Sequence, residues 1–273
     1  MTAFMVVPQW QGSSSTRAMQ LIDGAEAIRG DLPSRSTRVV DVPNGAGDAL
    51  GTGIQRFSSI VTVRERLREG LRTEAEPVVC IGGGCGIEIA AIDHAMRSSN
   101  GDTAVVWFDA HPDLHTAESS PSGAFDGMAL RAVLGEGHEV LAASNPVPAE
   151  RVVLAGIRSV DDSETRFIEE SPLTTLPGAD VTTESLLAAL EATGAGSVYV
   201  HIDLDVLDPA DIDGTHWAEP FGIPLASLVE LLAAVRGRFT LSGAGITGFA
   251  PASAAAASDD LAAILRILGA LTR

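Results

Sequence analysis

Seven short apolar, β-branched runs, Phe4–Val7, Arg38–Val42, Val78–Ile81, Ala104–Phe108, Val152–Gly156, Ser197–Ile202 and Leu241–Thr247, alternate along the chain with stretches of helical periodicity. Strands separated by helices pair in parallel, with the helices covering the sheet, so this alternation predicts an α/β fold. Helices are expected at Met19–Arg29, Val61–Glu69, Ile87–Arg97, Met128–Leu134, Glu184–Ala192 and Leu225–Val235. A last helix is expected to start at a Ser258 cap, with Asp259 and Asp260 at the positive end of its dipole and Leu261, Ile264, Leu265 and Leu268 on its buried face. The stretch Ala252–Ala257 before it reads as a loop. No repeat or linker divides the chain, so residues 1–273 are expected to form a single domain. Ligands of open parallel sheets bind at the carboxyl ends of the strands, which directs attention to polar residues just after each apolar run.

Composition narrows the partners. Eighteen basic against 36 acidic residues give a net charge of −18, the wrong sign for a nucleic-acid backbone or an anionic membrane. A small molecule is the expected partner. All of the basic residues are Arg, so Schiff-base chemistry and a Walker-type phosphate lysine are excluded. Two cysteines, Cys80 and Cys85, are too few for a disulfide framework; Cys80 reads as core, and a bond between the two is not expected. Met1–Trp10 lacks the features of a signal segment, and no apolar run reaches the roughly 18 residues of a membrane span. A cytoplasmic location is expected.

Two segments carry the chemistry. After Ala104–Phe108 comes Asp109-Ala110-His111-Pro112-Asp113, and after Ser197–Ile202 comes Asp203-Leu204-Asp205-Val206-Leu207-Asp208-Pro209. In extended chain the period of two sends Asp109, His111 and Asp113 to one side, and Asp203 and Asp205 likewise. Four carboxylates converging at one sheet end cannot all stay ionised without a counter-charge. With no Lys in the chain, two divalent cations match that charge. Oxygen ligands with an imidazole favour manganese, or ferrous iron, over a structural zinc. Taken singly, either segment reads equally as a helix cap or a solvated loop.

The stretches Asp109–His115 and His201–Pro209 resemble the ureohydrolases, the arginase and agmatinase family of dinuclear manganese enzymes that hydrolyse guanidino groups. The resemblance implies a three-layer α/β/α fold around an eight-stranded parallel sheet. It also implies that Asp109 and Asp203 bridge two metals, that His111 and Asp205 complete one, and that Asp113 serves the other. Three positions depart from the family pattern. Cys85, in Gly82-Gly83-Gly84-Cys85-Gly86, stands where a metal-binding His is usual; it is either a thiolate ligand adding a fifth negative charge or a small packed side chain. Asp126, in Ser122–Gly127, stands where a proton-shuttling His is usual, and reads either as a replacement acid raised by burial or as a turn residue. Gly248 stands where a Glu pairs with the substrate guanidinium, and Gly248→Glu is expected to narrow the gap in kcat/KM between Nω-hydroxy-L-arginine and L-arginine.

Other contacts implied by the resemblance are His115 and Ser122 at the substrate α-carboxylate and Asp161 at its α-amino group. Trp217 and Glu219 are expected to wall the pocket. His201 reads as structural. Gly243-Ala244-Gly245-Ile246-Thr247-Gly248 spells a dinucleotide fingerprint but lies in a strand and runs into Pro251 instead of opening a helix with an acidic residue about 20 further on, so it is set aside.

Without the Glu, a cationic guanidinium loses its partner, whereas a less basic N-hydroxyguanidine loses less and finds room for its oxygen. The expected reaction is hydrolysis of Nω-hydroxy-L-arginine to hydroxyurea and L-ornithine, as in antibiotic biosynthesis. The alternatives are an amidinohydrolase for arginine or another guanidino compound and a non-catalytic metal-binding protein. A monomer is slightly favoured over an oligomer.

Overall fold

The computed structural model describes residues 2–74, 77–178 and 181–272. Eight strands form one all-parallel sheet in the order β2-β1-β3-β8-β7-β4-β5-β6. They are β1 (Ala3–Val6), β2 (Thr37–Val39), β3 (Val78–Ile81), β4 (Thr103–Phe108), β5 (Val152–Ala155), β6 (Thr174–Leu176), β7 (Ser197–Asp203) and β8 (Thr240–Thr247). The central strands are buried on both faces, which is why they read as continuous apolar runs.

Alternate side chains of the central strands enter one of two apolar layers. Ala104, Val106 and Phe108 of β4, with Val198, Val200 and Ile202 of β7, meet α1 (Gln20–Gly30), α6 (Thr183–Ala192), α7 (Leu225–Arg238) and α8 (Ala254–Thr272). Val105, Trp107 and Tyr199 face the other way, toward α2 (Phe57–Leu71), α3 (Glu88–Ser98), α4 (Ala129–Val133) and α5 (Asp162–Glu170). The three-layer, eight-stranded architecture matches the expectation. Among the described residues no helix is long and apolar enough to cross a membrane.

Two elements are absent from the sequence reading. Strand β6 is a three-residue edge strand, only partly buried. Helix α5 has a thin apolar stripe, but its start was legible as a capping box: Asp161 accepts from Ser163 N and Glu164 N while Glu164 reaches back to Asp161 N.

The last helix also differs. It begins at Ala254, so Ala254–Ala257 is helix, not loop, and Ser258 lies inside it with its hydroxyl donated back to Ala254 O. Its buried face runs through Ala257, Asp260, Ile264, Ile267, Leu268 and Leu271. Asp260 is buried because it accepts from Asp213 N and Gly214 N, tying the helix to the loop after β7. Leu265, expected on the buried face, is 39 % exposed, whereas Ile264 is fully buried. Ile264→Ala should therefore destabilise the protein by about 2–5 kcal/mol, whereas Leu265→Ala should stay within about 0.5 kcal/mol, as read from urea midpoints.

Candidate metal centre

The segments that follow β3, β4 and β7 border a cavity of about 250 Å³. Its wall includes Cys85, Asp109, His111, Asp113, Asp126, Asp203 and Asp205, together with His115, Ser122, Trp217 and Glu219. Every acidic, histidine and thiol residue implied as a metal ligand is thus brought together, and among the described residues no Arg lines the cavity. Asp161 and Gly248 do not line it.

Pleating is not what makes the carboxylates converge. Strand β4 ends at Phe108, and Asp113 adopts a left-handed backbone, φ +52°. Asp109 Oδ1 accepts from His111 N at 2.7 Å, folding the segment over itself. After β7, Asp203 Oδ1 accepts from Asp205 N at 3.0 Å, and a 3-10 turn over Leu204–Val206 swings Asp205 beside it. Asp205 Oδ1 then accepts from Ala110 N at 3.0 Å, joining the two segments. Arg158 brackets the second from behind, donating to the carbonyls of Asp205, Val206, Glu219 and Pro220.

The electrostatics call for cations. His111 Nδ1 stands 3.0 Å from Asp205 Oδ2 and 3.5 Å from Asp109 Oδ1. Burial disfavours its charged form, but these carboxylates outweigh burial and push the imidazole up to about 12. Burial also raises Asp113 well above the ordinary carboxyl range, reinforced by Asp109, and its Oδ2 has no hydrogen-bond partner. Asp109 is held low despite burial, because His111 and His201 face it.

Cys85 follows the Gly82–Gly83 turn, where both glycines have positive φ. Its Sγ donates to Asp203 Oδ2 at 3.1 Å and lies 3.8 Å from Asp109 Oδ2. Burial, then the charges of Asp113, Asp203, Asp109 and Asp126, push its thiol up. Cys80 is a free, fully buried thiol within β3, as expected.

Asp126 sits among backbone. Its Oδ1 accepts from Gly86 N at 3.2 Å, its Oδ2 is buried without a partner, and its own N–H donates to Gly12 O at 3.1 Å. A Cβ on Gly84 or Gly12 would lie 1.8 or 2.1 Å from this carboxylate. Burial raises Asp126 to about 6, opposed by His216.

At the far side of the cavity, His115 Nε2 stands 3.3 Å from Asp161 Oδ2 and 3.8 Å from Glu164 Oε2. Asp161 lies behind His115 as the cap of α5. Ser122 bonds locally to Ala124 N. Glu219 Oε1 stands 3.6 Å from His111 Nε2, and Trp217 is 42 % exposed at the rim.

Gly248 lies beneath Asp203. At φ +84°, a Cβ there would stand 2.2 Å from Asp203 Oδ1, so Gly248→Glu displaces Asp203 instead of adding a contact. That exchange therefore moves Asp203 as well as introducing a carboxylate.

Two site residues escaped the sequence reading. His216, buried on the loop after β7, places Nε2 3.7 Å from Asp203 Oδ2 and Nδ1 3.5 Å from Ser13 Oγ. Glu164 needed only the capping-box pattern to be found. His201, read as structural, is also more closely involved: it lies two residues before Asp203 on the same face, 3.6 Å from Asp109 Oδ2.

The profile of the Arginase family matches residues 11–269. The chain is 32 % identical over 221 residues to an arginase of Bacillus caldovelox, covering 74 % of this chain and 72 % of that one. It is 31 % identical over 176 residues to an arginase of Staphylococcus aureus, covering 60 % of this chain and 58 % of that relative's length. In three dimensions it is similar to the Entamoeba histolytica arginase in complex with L-ornithine, with a TM-score of 0.88 at 22 % identity over 99 % of this chain and 97 % of that one. The last likeness concerns the fold, but a profile spanning seven of the eight strands, β2 to β8, and the loops between them concerns the sequence itself, and the chain belongs to the arginase family.

Proposed function

We propose that this chain is a dinuclear metal hydrolase of guanidino compounds, an amidinohydrolase whose preferred substrate is Nω-hydroxy-L-arginine, of the kind used in cycloserine biosynthesis. The observation that carries the reading is the convergence of Asp109, Asp113, Asp203 and Asp205 in one buried cavity without an Arg on its wall. Buried carboxylates in that number are costly unless cations hold them. The donor set, four carboxylates with an imidazole and a thiol, fits two divalent ions, and its hard oxygen character favours manganese. Asp109 and Asp203 would be shared, His111 and Asp205 would complete one ion, and Asp113 and Cys85 the other. Bound there, the ions would polarise the guanidine carbon and lower the pKa of water.

Water adds to the guanidine carbon, the bond to the δ-nitrogen breaks, and hydroxyurea and L-ornithine leave. The departing amine needs a proton. Asp126, which burial holds near 6, keeps a protonated fraction at neutral pH and is the acid we assign to that step. His115, supported by Asp161, and Ser122 orient the amino-acid end, while Trp217 and Glu219 wall the entrance. Gly248 supports the preference differently than a vacated contact would: it lets Asp203 approach the sheet and leaves no carboxylate to pair with a fully charged guanidinium. We read residues 1–273 as a single domain and favour a monomer as the acting unit.

Protein purified with manganese supplied should carry two ions per chain by elemental analysis; fewer than one sinks the metal reading. Cys85→His should raise affinity by replacing a thiol with a neutral imidazole, and unchanged binding in Cys85→Ala would remove Cys85 from the ligand set.

In assays of ornithine release, kcat/KM should be higher for Nω-hydroxy-L-arginine than for L-arginine. Equal or better turnover of arginine overturns the substrate assignment and leaves the metal assignment standing. Turnover of neither, with metal bound, favours a non-catalytic protein.

The folded value of Asp126, about 6, lies above the ordinary 3.8. Its contribution to stability is therefore fully present below pH 3.8 and is lost as the pH rises through about 6. In metal-free protein, Asp126→Asn should gain stability over the parent between about pH 4 and pH 7, on the order of 3 kcal/mol at most. Urea midpoints at the two ends of that range measure it, and a pH-independent difference refutes the burial account.

A further inference from the structure

Under the cavity floor, on the same face of the sheet, lies a group of polar side chains that the chemistry above does not use. Glu88, at the start of α3, and His201, on β7, are both fully buried. Tyr199 donates its hydroxyl to Glu88 Oε2 at 2.7 Å. His201 points Nδ1 at the same Glu88 oxygen, 3.8 Å away, and Nε2 at Asp109 Oδ2, 3.6 Å away. Neither ring nitrogen makes a hydrogen bond at these separations. The ring stacks on Trp107 with centroids 3.6 Å apart, and Trp107 Nε1 donates to that same Asp109 oxygen at 3.2 Å.

The room for this file of side chains is cut out of β8. A Cβ on Gly245 would lie 1.8 Å from Glu88 Oε1, and one on Gly243 would lie 2.8 Å from the Tyr199 ring. The Gly243-Ala244-Gly245 segment, which mimics a dinucleotide fingerprint, thus empties the middle of the sheet for a buried acid and a phenol. A carboxylate and an imidazole at this depth are costly unless bonded, and apolar side chains would fill the space without that cost. Packing alone does not account for them.

We infer that Glu88 and His201 are positioning residues for Asp109. Glu88, held by Tyr199, fixes the orientation and tautomer of His201. Trp107 then donates to Asp109 Oδ2 from below with His201 facing the same oxygen, while the His111 N–H holds Oδ1. Outer-shell partners of this kind orient a ligand and tune its basicity. The inference rests on the metal reading proposed above.

The test titrates metal-free, full-length protein with Mn2+ by calorimetry and records the absorption of the Co2+-loaded form. Glu88→Gln keeps the size of the side chain and an acceptor for Tyr199, and His201→Gln keeps a donor toward Asp109. Glu88→Gln should weaken Mn2+ binding by about 10–100-fold and shift the Co2+ bands while the metal-free protein remains folded, as read from its Tm. His201→Gln should lose less affinity than His201→Ala. A merely structural pair gives the reverse, a lowered Tm with Mn2+ affinity within about twofold of the parent, and that result overturns the inference.

If Glu88→Gln does not fold, Tyr199→Phe, which deletes a single oxygen, carries the same test: a several-fold loss of affinity is expected, and no loss overturns it. Asp109→Asn separates the two readings. Loss of binding there, with Glu88→Gln unaffected, upholds the metal centre and rejects the positioning role; a parent that binds no Mn2+ rejects both.

Discussion

Negative charge concentrated at the end of a parallel sheet is the condition around which this molecule is built. Asp109, Asp113, Asp203 and Asp205 share one cavity with the Cys85 thiol and three further carboxyl groups; among the described residues no Arg lines it, and the chain has no Lys at all. Such a set is unstable against its own repulsion, and the surrounding structure shows how it is held. Protons take up part of the strain: His111 is driven toward its charged form, and the Cys85 thiol and the Asp113 carboxyl away from theirs. Backbone N–H groups take up more, with Ala110, His111 and Asp205 each donating to a neighbouring carboxylate. What they leave over, including the unpartnered Asp113 Oδ2, is the demand for cations.

The sheet makes this concentration possible because its strands all point the same way. Strands β3, β8, β7 and β4 are adjacent, so the segments following them meet without any long excursion of the chain. Arg158 contributes from one strand further out. One guanidinium gathers the carbonyls of the loop that carries Asp205 and Glu219, so a residue after β5 fixes groups after β7.

Much of this was legible in the sequence, for identifiable reasons. Buried parallel strands must be apolar along their whole length, so Val78–Ile81 and Val152–Gly156 stand out, whereas the edge strand Thr174–Leu176, half solvated, does not. The two Asp-rich segments were visible because so many ionisable groups seldom follow an apolar run without a use. The geometric reason given for their convergence was wrong: a left-handed residue at Asp113 and a 3-10 turn at Asp205 achieve what pleating was expected to do. His216 was invisible because nothing in Thr215-His216-Trp217 marks it; its place depends on backbone pairing of His216 N with Gly248 O, a contact across the fold. In the last helix, Leu265 and Ile267 look interchangeable by composition, and only the packing of the neighbouring helices decides which is buried.

The close approach of Gly248 to Asp203 also restricts which sequences can be reached from this one. A side chain at position 248 must evict a carboxylate from the centre of the site, on a backbone that already favours glycine. Any other residue there would need a compensating move of Asp203, and Asp203 is itself engaged by Cys85, Thr247 and the turn to Asp205. A change at 248 is therefore tied to simultaneous changes in the groups that hold Asp203.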